Sequence, residues 1–212
     1  MPTLTTREWN VVAVGGWNPA ILSPSGIAKH IFGLPEGTPV KLELSLDAPS
    51  PGKYRVVHEG FRVSPTSTRL VVECERASFT NLRKAAGLIS RACEELPVTP
   101  ISAVGINTRF HLADAEAGSL VTSSPIDDRL SDAGFPIKKR HVIRSLGFDP
   151  GAINLSIQVS EPTEYDIEFN FDCRGERAQM IDWLAISEEQ MKTTISKVLM
   201  ATFSVELPEE LV

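Results

Sequence analysis

The sequence is poor in several things, and each shortage excludes something. It has three cysteines, Cys74, Cys93 and Cys173. They are too few and too scattered for a disulfide framework, and an odd number points to a reducing compartment. Uninterrupted apolar runs are short: Val11-Val12-Ala13-Val14 spans four residues, against about 20 for a membrane-crossing helix. Met1 to Asn10 has no apolar core of a signal peptide. These features predict a cytoplasmic protein with no membrane contact. Positive charge is also scarce. With 21 Lys and Arg against 27 Asp and Glu the net charge is −6, and the longest basic run is Lys138-Lys139-Arg140-His141. With only two tyrosines as well, nucleic acid is a disfavoured partner.

Motifs for common chemistries are missing too. Gly15-Gly16 follows an apolar run but lacks the lysine and hydroxyl of a P-loop and the third glycine of a dinucleotide fold. No Cys or His pair has zinc-ligand spacing, and His30, His58, His111 and His141 stand apart. There is no Gly-x-Ser-x-Gly elbow. No cofactor, metal or catalytic residue is therefore expected.

What is present is an ordinary globular composition, 42% apolar and 23% charged in 212 residues, long enough to bury roughly 70% of the unfolded surface. Ser23-Pro24 is a helix start, followed by Ile27, Ala28, Ile31 and Phe32 on one face and stopped at Gly33. Val40, Leu42, Leu44 and Leu46 alternate with polar residues, predicting a strand with one buried face. Residues 48–53 read as a loop. Tyr54–Val57 and Phe61–Val63 flank a His58-Glu59-Gly60 turn, and Leu70, Val72 and Cys74 alternate again. Ser78 caps a helix whose buried stripe is Leu82, Ala85, Ala86, Ile89, Ala92, Cys93 and Leu96. On that stripe Cys93 is an inert small hydrophobe. Ile101 to Leu112 forms a long strand.

A polar connection over 113–136, with a short helix near Ile126–Ala133, separates an N-terminal half (1–112) from a C-terminal half (137–212). The second half holds strands over Lys139–Leu146 and 154–159, a turn at Glu161-Pro162-Thr163, and a strict alternation of Tyr165, Ile167, Phe169 and Phe171 with acids and Asn170. Ser187-x-x-Gln190 then opens a helix with Met191, Ile195, Val198, Leu199 and Thr202 inward. The tail from Glu206 is acidic. Hairpin-linked alternating strands with few helices predict an α+β fold: antiparallel sheet with long amphipathic helices packed on one face. The two halves share an element order, which suggests a pseudo-duplication.

Two rows of side chains are candidate sites. Asp166, Glu168, Asn170 and Asp172 share a strand face; at about 7 Å per two residues they are spread too far for one metal ion, and Arg140 or Arg144 is their expected partner. Asn107, Arg109 and His111 also share a face, with Lys41, Arg55, Arg62 and Arg69 as outward cations nearby and Glu43, Glu73 and Glu75 countering them. A small-molecule or anion-binding protein, or an enzyme, with a pocket near Trp17, Asn107, Arg109 and His111 and with Asn18 among its binding residues is one functional reading. The first reading is a non-enzymatic protein-protein interaction or assembly subunit, binding another protein or itself as a homodimer; Trp17 reads first as core packing and, in the homodimer, as part of the interface.

Gly16-Trp17-Asn18-Pro19-Ala20-Ile21-Leu22 and Thr99-Pro100-Ile101-Ser102-Ala103-Val104-Gly105-Ile106-Asn107 resemble stretches of a sporadically distributed family of uncharacterised bacterial proteins. The resemblance covers roughly residues 11–112. It implies a bacterial or mobile-element origin and carries over no activity and no site residue.

Overall fold

A computed structural model describes residues 2–44, 54–115, 125–161 and 163–208. Leu46, the loop at 48–53, the middle of the polar connection (116–124), Pro162 and the end of the acidic tail lie outside the described residues. Among the described residues the fold is α+β: one ten-stranded antiparallel sheet with five helices.

The strands are β1 (Thr3–Thr6), β2 (Asn10–Gly15), β3 (Lys41–Leu44), β4 (Tyr54–His58), β5 (Phe61–Pro65), β6 (Arg69–Cys74), β7 (Ile101–Ala113), β8 (Arg140–Phe148), β9 (Gly151–Glu161) and β10 (Glu164–Cys173). The helices are α1 (Pro24–His30), α2 (Phe79–Glu95), α3 (Pro125–Asp132), α4 (Arg177–Trp183) and α5 (Glu188–Phe203). Across the sheet the order is β3-β4-β5-β6-β2-β7-β10-β9-β8, with β1 also on β7. The sheet is continuous through both halves of the chain, because β7 pairs with β2 on one edge and β10 on the other. The apolar β2 strand is central, so its backbone groups are satisfied on both sides and its lack of guarding charges exposes nothing.

Local chemistry explains the elements. Ser23, Ser78 and Ser187 each accept a hydrogen bond from the backbone N–H three residues on, at 3.2, 3.1 and 3.1 Å. Glu59 and Gly60 both have positive φ, 47° and 83°, the geometry of a two-residue hairpin turn between β4 and β5. Ile89 and Ile195 are fully buried in α2 and α5. They join one hydrophobic cluster with the inward residues of β2, β4–β7, β9 and β10. Trp9 stacks edge-on to Phe79 and Phe110, and Phe110 on Phe169, with ring centroids 4.9, 5.4 and 6.1 Å apart.

One irregularity positions the outer face. Thr6 pairs with Phe110 and Asn10 with Asn107, so Arg7, Glu8 and Trp9 oppose only Thr108 and Arg109. This extra residue is a β-bulge. The Arg7 backbone N–H and the Trp9 indole both donate to the Arg109 carbonyl, at 2.8 and 2.9 Å. Because side chains alternate, the inserted residue reverses their parity and sends Trp9 into the core and Asn10 to the opposite face.

Two expectations change. Leu42 and Leu44 alternate as a half-buried strand should, yet both are exposed, Leu44 to 70%. The β3 strand is an edge, and α1 packs as far as β4. The helix α4 was not read from sequence. Arg177 at its start donates to the carbonyls of Cys93, Leu96 (3.1 Å) and Thr99 (2.6 Å), closing the C-terminal end of α2 with a cation.

Candidate functional site: the polar sheet face and its groove

The outward positions of the central strands build a polar surface. Asn154 on β9 donates to Asn170 on β10 (3.0 Å), Asn170 to Asn107 on β7 (2.6 Å), and Asn107 to Asn10 on β2 (2.8 Å). These four side chains form one hydrogen-bonded row across four strands. Gly105 makes room for it: a Cβ there would lie 2.8 Å from the Asn170 amide nitrogen.

Next to this row come ion pairs. Arg109 meets Glu168 through Nε–Oε2 (3.1 Å) and Nη2–Oε1 (3.4 Å). His111 Nδ1 lies 3.0 Å from Asp166 Oδ1. Asp172 pairs with Arg174 at 3.1 Å. The acidic row of β10 therefore does not pair with Arg140 or Arg144. Those residues oppose the inward-facing Val159 and Leu155 of β9 and so lie on the other face; Arg140 instead binds Asp127 at 2.8 Å. Towards β3 the anticipated cations are countered: Lys41 by Glu43 (3.1 Å), Arg55 by Glu73 (3.8 Å), and Arg62 by Glu43 (3.3 Å) and Glu75 (3.1 Å).

Asn107, Arg109 and His111 do share the outward face of β7. Trp17 and Asn18 do not join them. Trp17 is 2% exposed and its indole donates to the Ala13 carbonyl at 3.0 Å. The Asn18 side chain accepts from the Ala20 N–H at 3.0 Å in an exposed turn. Gly15 pairs with Ile101, so this turn lies by the start of β7, roughly 27 Å of strand from Arg109 and roughly 34 Å from His111. The five residues do not form one pocket.

Two concavities meet at Arg109 instead. A groove of about 760 Å³ is lined by Arg7, Glu8, Arg62, Glu75, Arg76 and Arg109, among others. A second, of about 330 Å³, is lined by Arg7 and Arg109 again, with Ser156, Gln158, Asp166 and Glu168. His141 Nε2 and Ser156 Oγ are 2.7 Å apart at its margin. Arg7 and Arg76 escaped the sequence reading because both sit in irregular links, where no periodicity assigns a face.

The thiols offer no nucleophile. Burial pushes Cys74 up to about 12 and Cys93 to about 11, and raises Cys173. Among the described residues no three His, Cys, Asp or Glu side chains are placed to hold a metal ion, and no helix is long and apolar enough to cross a membrane. No protein-family model matches the chain, and neither does any curated protein.

Proposed function

We propose that this protein is a non-enzymatic interaction or assembly subunit of the cytosol, bacterial or mobile-element encoded, which binds another protein or a second copy of itself. The observation that supports this reading is where apolar surface is left open. Ile126 and Leu130, four residues apart on one face of α3, are exposed. So are Phe135 (66%) just beyond it and Ile143 (58%) on the edge strand β8. The Arg140–Asp127 pair ties α3 to β8. Ile143 opposes Ser156 on the outward face and Arg140 lies on the other, so these open apolar side chains flank the β8 edge from both sides, and an edge strand flanked in this way suits a partner. With Trp17 in the core, the homodimer interface moves to this edge.

The halves are proposed as a pseudo-duplication. Supporting it, two successive units each run from a central strand (β2 or β7) through a helix into a meander, four-stranded in the first (β3–β6) and three-stranded in the second (β8–β10), whose last strand returns to pair with the first; the repeat so drawn begins its second unit at β7, ahead of the polar connection. Long amphipathic helices on one face, α2 and α5, complete the scheme.

Light scattering tests the dimer. The expected mass is twice 23.2 kDa, falling to 23.2 kDa in Phe135→Glu/Ile143→Glu. A wild-type monomer at tens of micromolar rejects self-assembly. A small-molecule or anion-binding protein is the second reading, favoured by the groove at Arg109.

A further inference from the structure

We propose that the two concavities joined at Arg7 and Arg109 form one ligand trough that takes a phosphate monoester carried on a hydroxylated body, such as a sugar phosphate. The inference is independent of the assembly reading and deepens the second one by naming the ligand class.

The charges are unevenly distributed along the trough. Its larger end carries four guanidiniums, Arg7, Arg62, Arg76 and Arg109, against the carboxylates of Glu8 and Glu75. Arg62 and Arg109 are each held by carboxylates and so are fixed in place. Arg7 and Arg76 have no ion-pair or hydrogen-bond partner for their guanidiniums among the described residues. Both line the groove, one from the β1–β2 bulge and the other from the β6–α2 link that runs beside it. Two unengaged planar donors facing a shared space suit an oxyanion that accepts from both. With Glu43 and Glu75 on Arg62 and Glu168 on Arg109, the four guanidiniums and the carboxylates around them balance, so what distinguishes this end is the pair of unengaged guanidiniums beside Glu8.

The smaller end has the opposite character. Asp166 is hydrogen-bonded to His111 and Glu168 is paired with Arg109, and both carboxylates keep acceptor lone pairs. Gln158 offers an amide, and Ser156 a hydroxyl. Carboxylate, amide and hydroxyl groups recognise alcohol groups, not a second phosphate. An end with two free guanidiniums and an acceptor-rich end in one trough match a ligand with one anionic terminus and a hydroxylated remainder. The bulge creates the site: by adding a residue opposite Arg109 it brings the Arg7 link beside the Arg109 carbonyl.

Calorimetry at low ionic strength with glucose 6-phosphate, inorganic phosphate and glucose as probes tests this. Glucose 6-phosphate should bind saturably and more tightly than phosphate, phosphate should compete with it, and glucose alone should give no saturable heat. Arg7→Ala/Arg76→Ala, both exposed and unpartnered, should weaken glucose 6-phosphate at least about tenfold, whereas Arg69→Ala, outside the trough, should not. Gln158→Ala should narrow the gap between glucose 6-phosphate and phosphate. No saturable binding of either anion overturns the site together with the anion-binding reading, whereas saturable binding indifferent to the double arginine variant overturns the site and leaves anion binding standing. Equal affinity for phosphate and glucose 6-phosphate overturns the hydroxyl-recognising half and leaves anion binding standing.

Discussion

The inward and outward faces of the central strands are made from the same backbone and the same registers, yet they are held by different physics. On β7 the inward row runs Val104, Ile106, Thr108, Phe110, Leu112, and the outward row Gly105, Asn107, Arg109, His111. The inward row is stabilised by removal from water, which is non-directional and scales with area. The outward row is stabilised by directional bonds between neighbouring strands, each small in net terms. The inward face therefore sets stability, and the outward face is free to set register and recognition.

Truncating the inward face should be the most damaging. Phe110→Ala removes a fully buried ring that contacts both Trp9 and Phe169 and should cost about 3–5 kcal/mol in a denaturant melt. A loss under about 1 kcal/mol would erase the distinction between the faces. On the outward face, Asn170→Ala breaks the amide row at its middle, leaving the Asn154 amide and the Asn107 oxygen without partners. Because water can reach part of this row, the expected cost is about 1–2 kcal/mol. The Asn170→Ala/Asn107→Ala pair should cost less than the sum of the single variants, because the two share one bond; full additivity would show that the row does not act as a unit. Smallest is Glu168→Gln, which weakens the half-exposed pair with Arg109 and should shift stability by less than about 1 kcal/mol, with a difference that shrinks further in salt.

The two faces also differ in how much of them was legible. The inward face was read well, because burial leaves a periodic trace. The alternation of Tyr165, Ile167, Phe169 and Phe171 and the stripe through Ile89 translate directly into core positions, and serine caps mark where the helices begin. The failures are non-local. Leu42 and Leu44 carry the same alternating pattern as buried strands, but whether a helix covers them depends on where β3 falls in the sheet. The acidic row of β10 was visible, whereas its true partners on β7 depended on strand order. Arg177 closes a helix end about 80 positions away in the chain, and nothing near it in sequence announces that. Of the candidate site, Asn107, Arg109 and His111 were correctly placed on one face. Trp17 and Asn18 were grouped with them although the antiparallel register carries them to the far end of β7.

The central placement of β7 also has a consequence for how the chain acquires its structure. Its partner β2 lies about 90 residues upstream and its partner β10 about 60 residues downstream, so the two pairings ripen at different times during synthesis. When β7 emerges from the ribosome, β2, the β4–β6 meander and α2 are already available, and the first half can close against one edge of β7. The opposite edge then stays unpaired, with an open row of amides and carbonyls, until β10 has been translated. At that point seven of the ten described strands are available to pair, and the middle strand offers its free edge as the template for the remaining three.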